Sequence, residues 1–342
     1  LTTLAEYLQA QGFRTVGFSA TPNDSASRNM DQGFDEFHEL WGSDNPNHGP
    51  FNLSRLAGDV LESQPSGDPL YLQLHYLPPH QPYAPGRDFD RFTDPSYSGP
   101  IEPRMGLKQF SLGRESLAPA DLEELIGLYD GNLLRADAAV GELLNSLKEV
   151  GRFDNSIIIL TSDHGEAFME HGYQGHNTTL FDEMLHVPLV IRLPFGRQST
   201  SLWLDRPTSL LDVVPTVLGA LDIDPVSSVD GCNLFNSASA KPFGRVLLAR
   251  TSHAEQPMIS VRSEFWKSIA WPKHQVQMLF DIVDDPDERE NRIGEVPWMF
   301  ANLGLIARER LLRAQARGYR QGDEVLLDRE TEEALRALGY LD

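Results

Sequence analysis

The sequence predicts an α/β fold: a mixed, mostly parallel sheet covered by helices, followed by a smaller C-terminal antiparallel α+β subdomain. Three observations carry the prediction. Short strand-like runs alternate with helical segments over residues 1–240, the pattern left by parallel strands joined through helices. The run "SIIIL" at 156–160 is apolar on both faces, as a central parallel strand should be. After about residue 240 the chain changes to closely spaced strand-like runs, "GRVLLAR", "PMISVRS", "FWKSIAWP" and "QMLFDIV", which read as an antiparallel meander. The expected boundary separates residues 1–240 from 241–342.

The elements follow in order. Leu4 and Leu8 sit one helical turn apart before Gly12, a C-cap candidate, so Thr2–Gln11 reads as a helix. Strands are expected at Thr15–Ser19, Leu70–His75, Ser156–Thr161 and Pro188–Arg192. Further helices are expected at Leu53–Ser63, Pro119–Val150 and Ser209–Leu221. The long one opens with "APADLEEL", a proline near the first position and acids in the first turn. Between Pro78 and Pro119 the chain is rich in Pro and Gly and weakly periodic, so long loops are expected. The tail should hold helices near Pro297–Gly318 and Glu330–Leu338, with "DDPDERE" before them as a solvated turn. Trp266, Trp271 and Trp298 read as packing residues. The chain opens at Leu1 inside a helix–strand unit, so a preceding segment is expected.

Composition narrows the function. The formal net charge is -21, which argues against a nucleic-acid partner, since phosphate backbones are bound by clustered Lys and Arg. No apolar run reaches the ~18 residues of a membrane span. One cysteine, Cys232, rules out an internal disulfide and a cysteine-based zinc site.

The chemistry gathers in "IIILTSDHGEAFMEHGYQGHN", Ile157–Asn177. Open parallel sheets bind ligands beyond the carboxyl ends of their strands. Asp163 and His164 stand at that end, a carboxylate and an imidazole suited to a metal. Gly165 lets the backbone turn sharply, and His171 and His176 follow within twelve residues. The bland alternative is that Asp163 caps a helix and His164 packs. A second stretch, "PLYLQLHYLPPHQPYAPG", ends a strand at His75 and places His80 between prolines. His75 reads as a core histidine. His80 is held in a stiff loop, a position suited to meeting an anion or protonating a leaving group.

These motifs together resemble the sulfatases of the alkaline phosphatase superfamily. "SDHGE", "EHG", "GH" and "LFDEMLHVPLVIRLP" resemble that family's second motif block, and "LYLQLHYLPPHQPYAPG" its mid-domain histidine motif. "LAEYLQAQGFRTVGFSATPN" is similar to the segment after the nucleophile helix, "LFDIVDDPDEREN" to a C-terminal turn, and "ALRALGYLD" to a common chain end. The resemblance implies metal-dependent hydrolysis of a sulfate ester. It makes Asp163 and His164 metal ligands, and His80 and His176 catalytic groups that bind the substrate anion or the leaving oxygen. The substrate would be a small-molecule or glycan sulfate ester. The cofactor would be one divalent cation, calcium by family, with manganese or zinc admitted by the nitrogen of His164. Relatives that use formylglycine are often exported, which is compatible with a periplasmic or extracellular location; no residue of the chain assigns a compartment.

Three departures shape the expectation. His164 stands where many sulfatases have Asn, a form shared with phosphonate and phosphodiester hydrolases of the superfamily. His176 stands where many have Lys. The family's "C/S-x-P-S-R" nucleophile motif and two further metal carboxylates are not matched; "DSASR" at Asp24–Arg28 echoes the motif only by coincidence, and Cys232 occupies a "DG.SL"-like turn. The chain alone is therefore expected to hydrolyse nothing. A phosphodiester or phosphonate monoester hydrolase and a non-catalytic homologue remain as alternatives.

Overall fold

The structure is a computed structural model that describes residues 2–42, 49–104, 117–176, 179–194, 204, 206–225, 229–236, 245–251, 257–316 and 329. It divides into two compact units, Leu1–Ser156 and Ile157–Asp323. Among the described residues no helix is long and apolar enough to cross a membrane.

The first unit is built on three parallel strands in the order β2-β1-β3, with β1 at Arg14–Ser19, β2 at Glu36–Glu39 and β3 at Leu70–His75. Helix α1, Leu4–Gln9, begins two residues after the expected Thr2 because Thr3 and Glu6 form a reciprocal cap: Glu6 N donates to Thr3 Oγ1 at 3.1 Å, and Thr3 N donates to Glu6 Oε2 at 2.7 Å. Helices α2, Pro50–Ser63, and α3, Pro119–Glu149, bury Leu53, Leu61 and Leu143 in one cluster with Val16 and Phe18 of β1. The short β2 was not foreseen. Its Phe37 lies over Gly17, where an added Cβ would meet the ring at 2.6 Å. In register, Ser19 stands between Glu39 and His75, so all three share the carboxyl edge of this sheet.

The second unit departs from expectation at its start. Strand β4, Ile158–Thr161, is not a central parallel strand. It pairs antiparallel with β7, Leu189–Arg192, and the two make a ribbon of two strands among the described residues. Leu160 is 43% and Val190 60% exposed, so the apolar run is not sandwiched on both faces. Between them run the two-residue strands β5, Ala167–Phe168, and β6, Gln174–Gly175, and the single-turn helix α4, Asp182–Leu185. Helix α5, Val213–Ala220, follows a 3-10 turn capped by Ser209.

The expected meander is present: β8 Leu247–Arg250, β9 Ile259–Arg262, β10 Trp266–Trp271 and β11 Val276–Asp281 lie in the order β11-β10-β9-β8, antiparallel throughout. Side chains alternate across it as the strand period of two requires. One face sends Val246, Val261 and Leu279 against Leu303 and Ala307 of α6, Pro297–Ala316. The other sends Met258, Ile269 and Phe280 against Leu180 and Phe181. Leu180 and Phe181, well before residue 240 in the chain, are thus part of the core beneath the C-terminal sheet.

Two readings of the tail need correction. The "DDPDERE" turn is not wholly solvated, because Glu288 is buried against Lys267. Trp266 and Trp271 pack on the two apolar clusters, but Trp298 is exposed. The helix expected at Glu330–Leu338 lies outside the described residues.

A buried carboxylate ties this unit together. Asp212 accepts from the amides of Ser209 at 2.8 Å and Cys232 at 2.9 Å, and pairs with Arg245 at 2.5 Å. Burial pushes its carboxyl up, but Arg245 and the two amides outweigh this and hold it below the usual range. A depressed folded pKa gives stability that is present above the unfolded value and lost as pH falls through the folded one. Asp212→Asn should therefore lower stability by about 2 kcal/mol at pH 7. The gap to wild type should shrink below pH ~4; urea midpoints measured across pH check both.

Candidate functional site

The second unit brings Asp163, His164 and His176 together just beyond β4. The turn depends on Gly165. Its amide donates to the carbonyl of Met184 at 2.9 Å, and a Cβ there would stand 1.9 Å from the carbonyl oxygen of Glu183. Only glycine permits so close an approach of two backbones. Ser162 Oγ adds a bond to the His164 carbonyl at 2.6 Å. The turn is thus fixed on both sides of the two candidate ligands.

Asp163 is the outward member, its side chain 71% exposed against 31% for His164. Its Oδ1 accepts from the His164 amide at 3.0 Å, which fixes the carboxylate beside the ring. His164 Nδ1 lies 2.8 Å from the carbonyl of Gly165. A carbonyl only accepts, so Nδ1 carries a proton, and the site for a cation on this ring is Nε2. That nitrogen is 3.7 Å from Asp163 Oδ2.

His176 stacks on His164, ring centroids 4.4 Å apart and planes 28° apart. Its Nδ1 lies 2.9 Å from Glu166 Oε1, and both side chains are only 5% exposed. The carboxylate accepts from Nδ1, so any bond from His176 to an ester oxygen would come from Nε2. Glu166 is not among the site residues that the sequence motifs point to. The spacing of ten residues to His176 gives no signal until β5 and β6 pair and fold it back.

His171, the other histidine of the stretch, has a different task. It stacks flat on Phe181, 3.7 Å between centroids, with Nδ1 2.9 Å from Glu183 Oε1 and Nε2 3.2 Å from the carbonyl of Glu288. Both ring nitrogens face the protein, so it anchors the loop.

His80 belongs to the first unit. Its amide donates to Leu77 O at 2.9 Å, and Nδ1 lies 2.5 Å from the carbonyl of Gln81. His75, in the same unit, is half-buried, and its Nδ1 stands 3.6 Å from Asp24 without a hydrogen bond. Cys232 is not an activated thiol: burial and the neighbouring Asp212 push it up, the reverse of what a nucleophile needs.

The cation implied by the motifs can be tested against this geometry. Two ligands at ~2.1–2.5 Å from one ion stand ~3.0–3.5 Å from each other at a right angle, and span about 3.7 Å at angles of ~95–125°. The 3.7 Å between Asp163 Oδ2 and His164 Nε2 fits adjacent positions, and the His164 tautomer is the ligating one. Among the described residues no third histidine, cysteine or carboxylate completes a site. The pair therefore fits part of a coordination shell.

Comparison with known proteins agrees with the motifs. The chain is 27% identical over 191 residues to arylsulfatase K of Xenopus laevis, a match that covers 52% of this chain and 35% of that protein. It is 24% identical over 327 residues to an ulvan-active sulfatase of Formosa agariphila, covering 85% of this chain and 62% of the relative. The chain thus spans from about a third to under two thirds of these relatives' lengths. Among solved structures, one determined in complex with its substrate D-glucosamine-2-N,6-O-disulfate superposes with a TM-score of 0.72 at 17% identity, covering 92% of this chain and 82% of that one. A phosphonate monoester hydrolase of Agrobacterium radiobacter superposes with a TM-score of 0.67 at 22% identity, covering 92% and 80%. These likenesses show the α/β fold with its C-terminal antiparallel sheet. The family model described as sulfatase matches residues 1–223, well over half of the 342. With the Asp163–His164 pair standing beyond β4, this chain belongs to the sulfatase family.

Proposed function

We propose that this chain serves in the metal-dependent hydrolysis of sulfate esters, and that Asp163 and His164 supply two adjacent ligands to a divalent cation. The single observation that carries the reading is the 3.7 Å pair with its ligating tautomer beside a second, buried histidine. When bound, such an ion draws charge from the oxygens of the transferred group. With both ring nitrogens protonated, His176, oriented by Glu166, would donate from Nε2 to an ester oxygen and stabilise the charge that builds there. His80 is assigned to the substrate anion or the leaving oxygen on its motif alone. Calcium is the ion that the family resemblance suggests; the imidazole of His164 also suits manganese or zinc.

A sulfated glycan is the proposed substrate class. The names of relatives support it: the ulvan-active sulfatase of Formosa agariphila, and an endo-4-O-sulfatase of Bacteroides thetaiotaomicron that is 27% identical over 205 residues. We further propose that residues 1–342 do not hydrolyse the ester unaided, because no "C/S-x-P-S-R" motif stands in this stretch, and burial with the neighbouring Asp212 pushes the Cys232 thiol up. A second reading, a phosphonate or phosphodiester monoester hydrolase, is favoured by one observation, the nitrogen ligand next to Asp163.

The test is calorimetric. Wild-type chain should bind Mn²⁺ or Ca²⁺, and Asp163→Asn and His164→Gln should each weaken binding about tenfold or more. Metal-loaded chain should then bind a sulfated disaccharide and not its desulfated form. Equal binding of both forms, or metal binding indifferent to both substitutions, would sink the proposal. A phosphonate ester bound in preference to the sulfate ester would select the second reading, and turnover by the purified chain would refute the claim that it is inactive unaided.

Two substitutions probe the site's construction. Gly165→Ala forces a Cβ onto the Glu183 carbonyl and should cost about 1–3 kcal/mol, read as a lowered melting temperature together with weaker metal binding. Glu166→Gln keeps the volume but removes the charge that orients His176. It should weaken disaccharide binding about tenfold and leave metal affinity nearly intact, which calorimetry separates.

A further inference from the structure

Glu288 combines two unfavourable features. Its backbone is left-handed, φ 54°, a region that residues with a Cβ avoid. Its carboxylate is 1% exposed and lies 2.7 Å from the ammonium of Lys267, which is 0% exposed. The Oε1 contact is an attraction of charges without a hydrogen bond, and only Oε2 accepts from Nζ, at 3.0 Å. Burial holds the Glu288 carboxyl above its usual range, with Lys267 offsetting part of the rise and Asp182 adding to it. A buried ion pair seldom stabilises more than apolar side chains of the same volume. The face of the sheet that carries Lys267 has Arg262 opposite it and continues with Ile269, Met258 and Phe280. Packing alone gives no reason for charges there.

What the pair touches does. Glu288 Oε2 accepts from the amide of Asp182 at 2.7 Å, the first residue of α4. The Asp182 carboxylate is held by Lys267 at 2.7 Å and by Arg262. A helix of one turn cannot hold itself, so these bonds fix it. From α4 two contacts reach the site: Met184 O accepts the amide of Gly165, and Glu183 Oε1 takes the Nδ1 of His171. His171 then returns through Nε2 to the carbonyl of Glu288 itself. With both His171 nitrogens protonated, the bonds form a closed ring from the Glu288 side chain, through α4 and the histidine loop, back to the Glu288 backbone.

We infer that Glu288, held by Lys267, is a positioning residue for the Asp163–His164–His176 cluster, acting through α4 and Gly165 to aim the two ligands. The inference rests on the cluster being the cation site proposed above. It also gives the C-terminal sheet a part in the site although none of its strands supplies a ligand.

The test separates the two. In Glu288→Met, which keeps volume but offers no acceptor to the Asp182 amide, hydrogen exchange at Gly165 should quicken about tenfold or more while Ser268 and Ile269 of β10 keep their wild-type rates. Mn²⁺ binding should weaken roughly tenfold. Glu288→Gln, which retains an acceptor oxygen, should restore both to within about threefold of wild type. Unchanged Gly165 exchange in a folded Glu288→Met protein overturns the inference, and so does a Gln variant as impaired as the Met one. If Glu288→Met does not fold, wild type decides: Gly165 and Ser268 should show the same denaturant dependence of exchange, and independent opening of Gly165 overturns the inference. Wild type that binds no Mn²⁺ ends the cation reading, while exchange at Gly165 still reports on the positioning.

Discussion

The Glu183 carbonyl occupies the place that a side chain at residue 165 would need. That contact sets the arrangement of the site in the second unit. It turns the chain sharply after β4, puts Asp163 and His164 side by side, and presses the turn against α4. Because α4 is itself gripped by residues of the C-terminal sheet, the direction of the His164 ring is decided by strands a hundred residues further along. Rigid elements hold ligands more accurately than loops do. Here a loop gains that accuracy by being bonded to a sheet.

Charge adds a second constraint. A chain of net charge -21 repels a sulfated substrate at long range, although salt confines the effect to about 10 Å. Recognition of an anion must then be local. Asp163, mostly exposed beside the proposed anion site, would worsen the repulsion unless a cation stood between carboxylate and ester. On the reading proposed above, a cation between that carboxylate and the ester would offset the repulsion.

Much of this was legible in the sequence, for reasons that differ by element. The meander was readable because its strands alternate with a period of two, and both faces turned out apolar. Helix α1 was readable because its turn-spaced leucines run up to a glycine. Strand β4 was misjudged: an apolar run says that burial is wanted, not which strand pairs with it or in which direction. Strand β2 is too short to show a period. At the site, Asp163, His164 and His176 stood out by residue type and spacing. Glu166 and Glu288 did not, since a carboxylate in a polar stretch looks solvated until tertiary pairing buries it. His171 looked like a site residue, and its stacking on Phe181 shows an anchor.

The β4–β7 ribbon has a practical side. Two short strands with Leu160 and Val190 turned outward, and no further strand paired to them among the described residues, offer backbone donors and acceptors next to apolar side chains. Such open edges recruit strands from other molecules. For residues 1–342 produced by themselves, the exposed Leu160–Val190 pair is a point of self-association, and a lysine placed at Val190 is the natural gatekeeper against it.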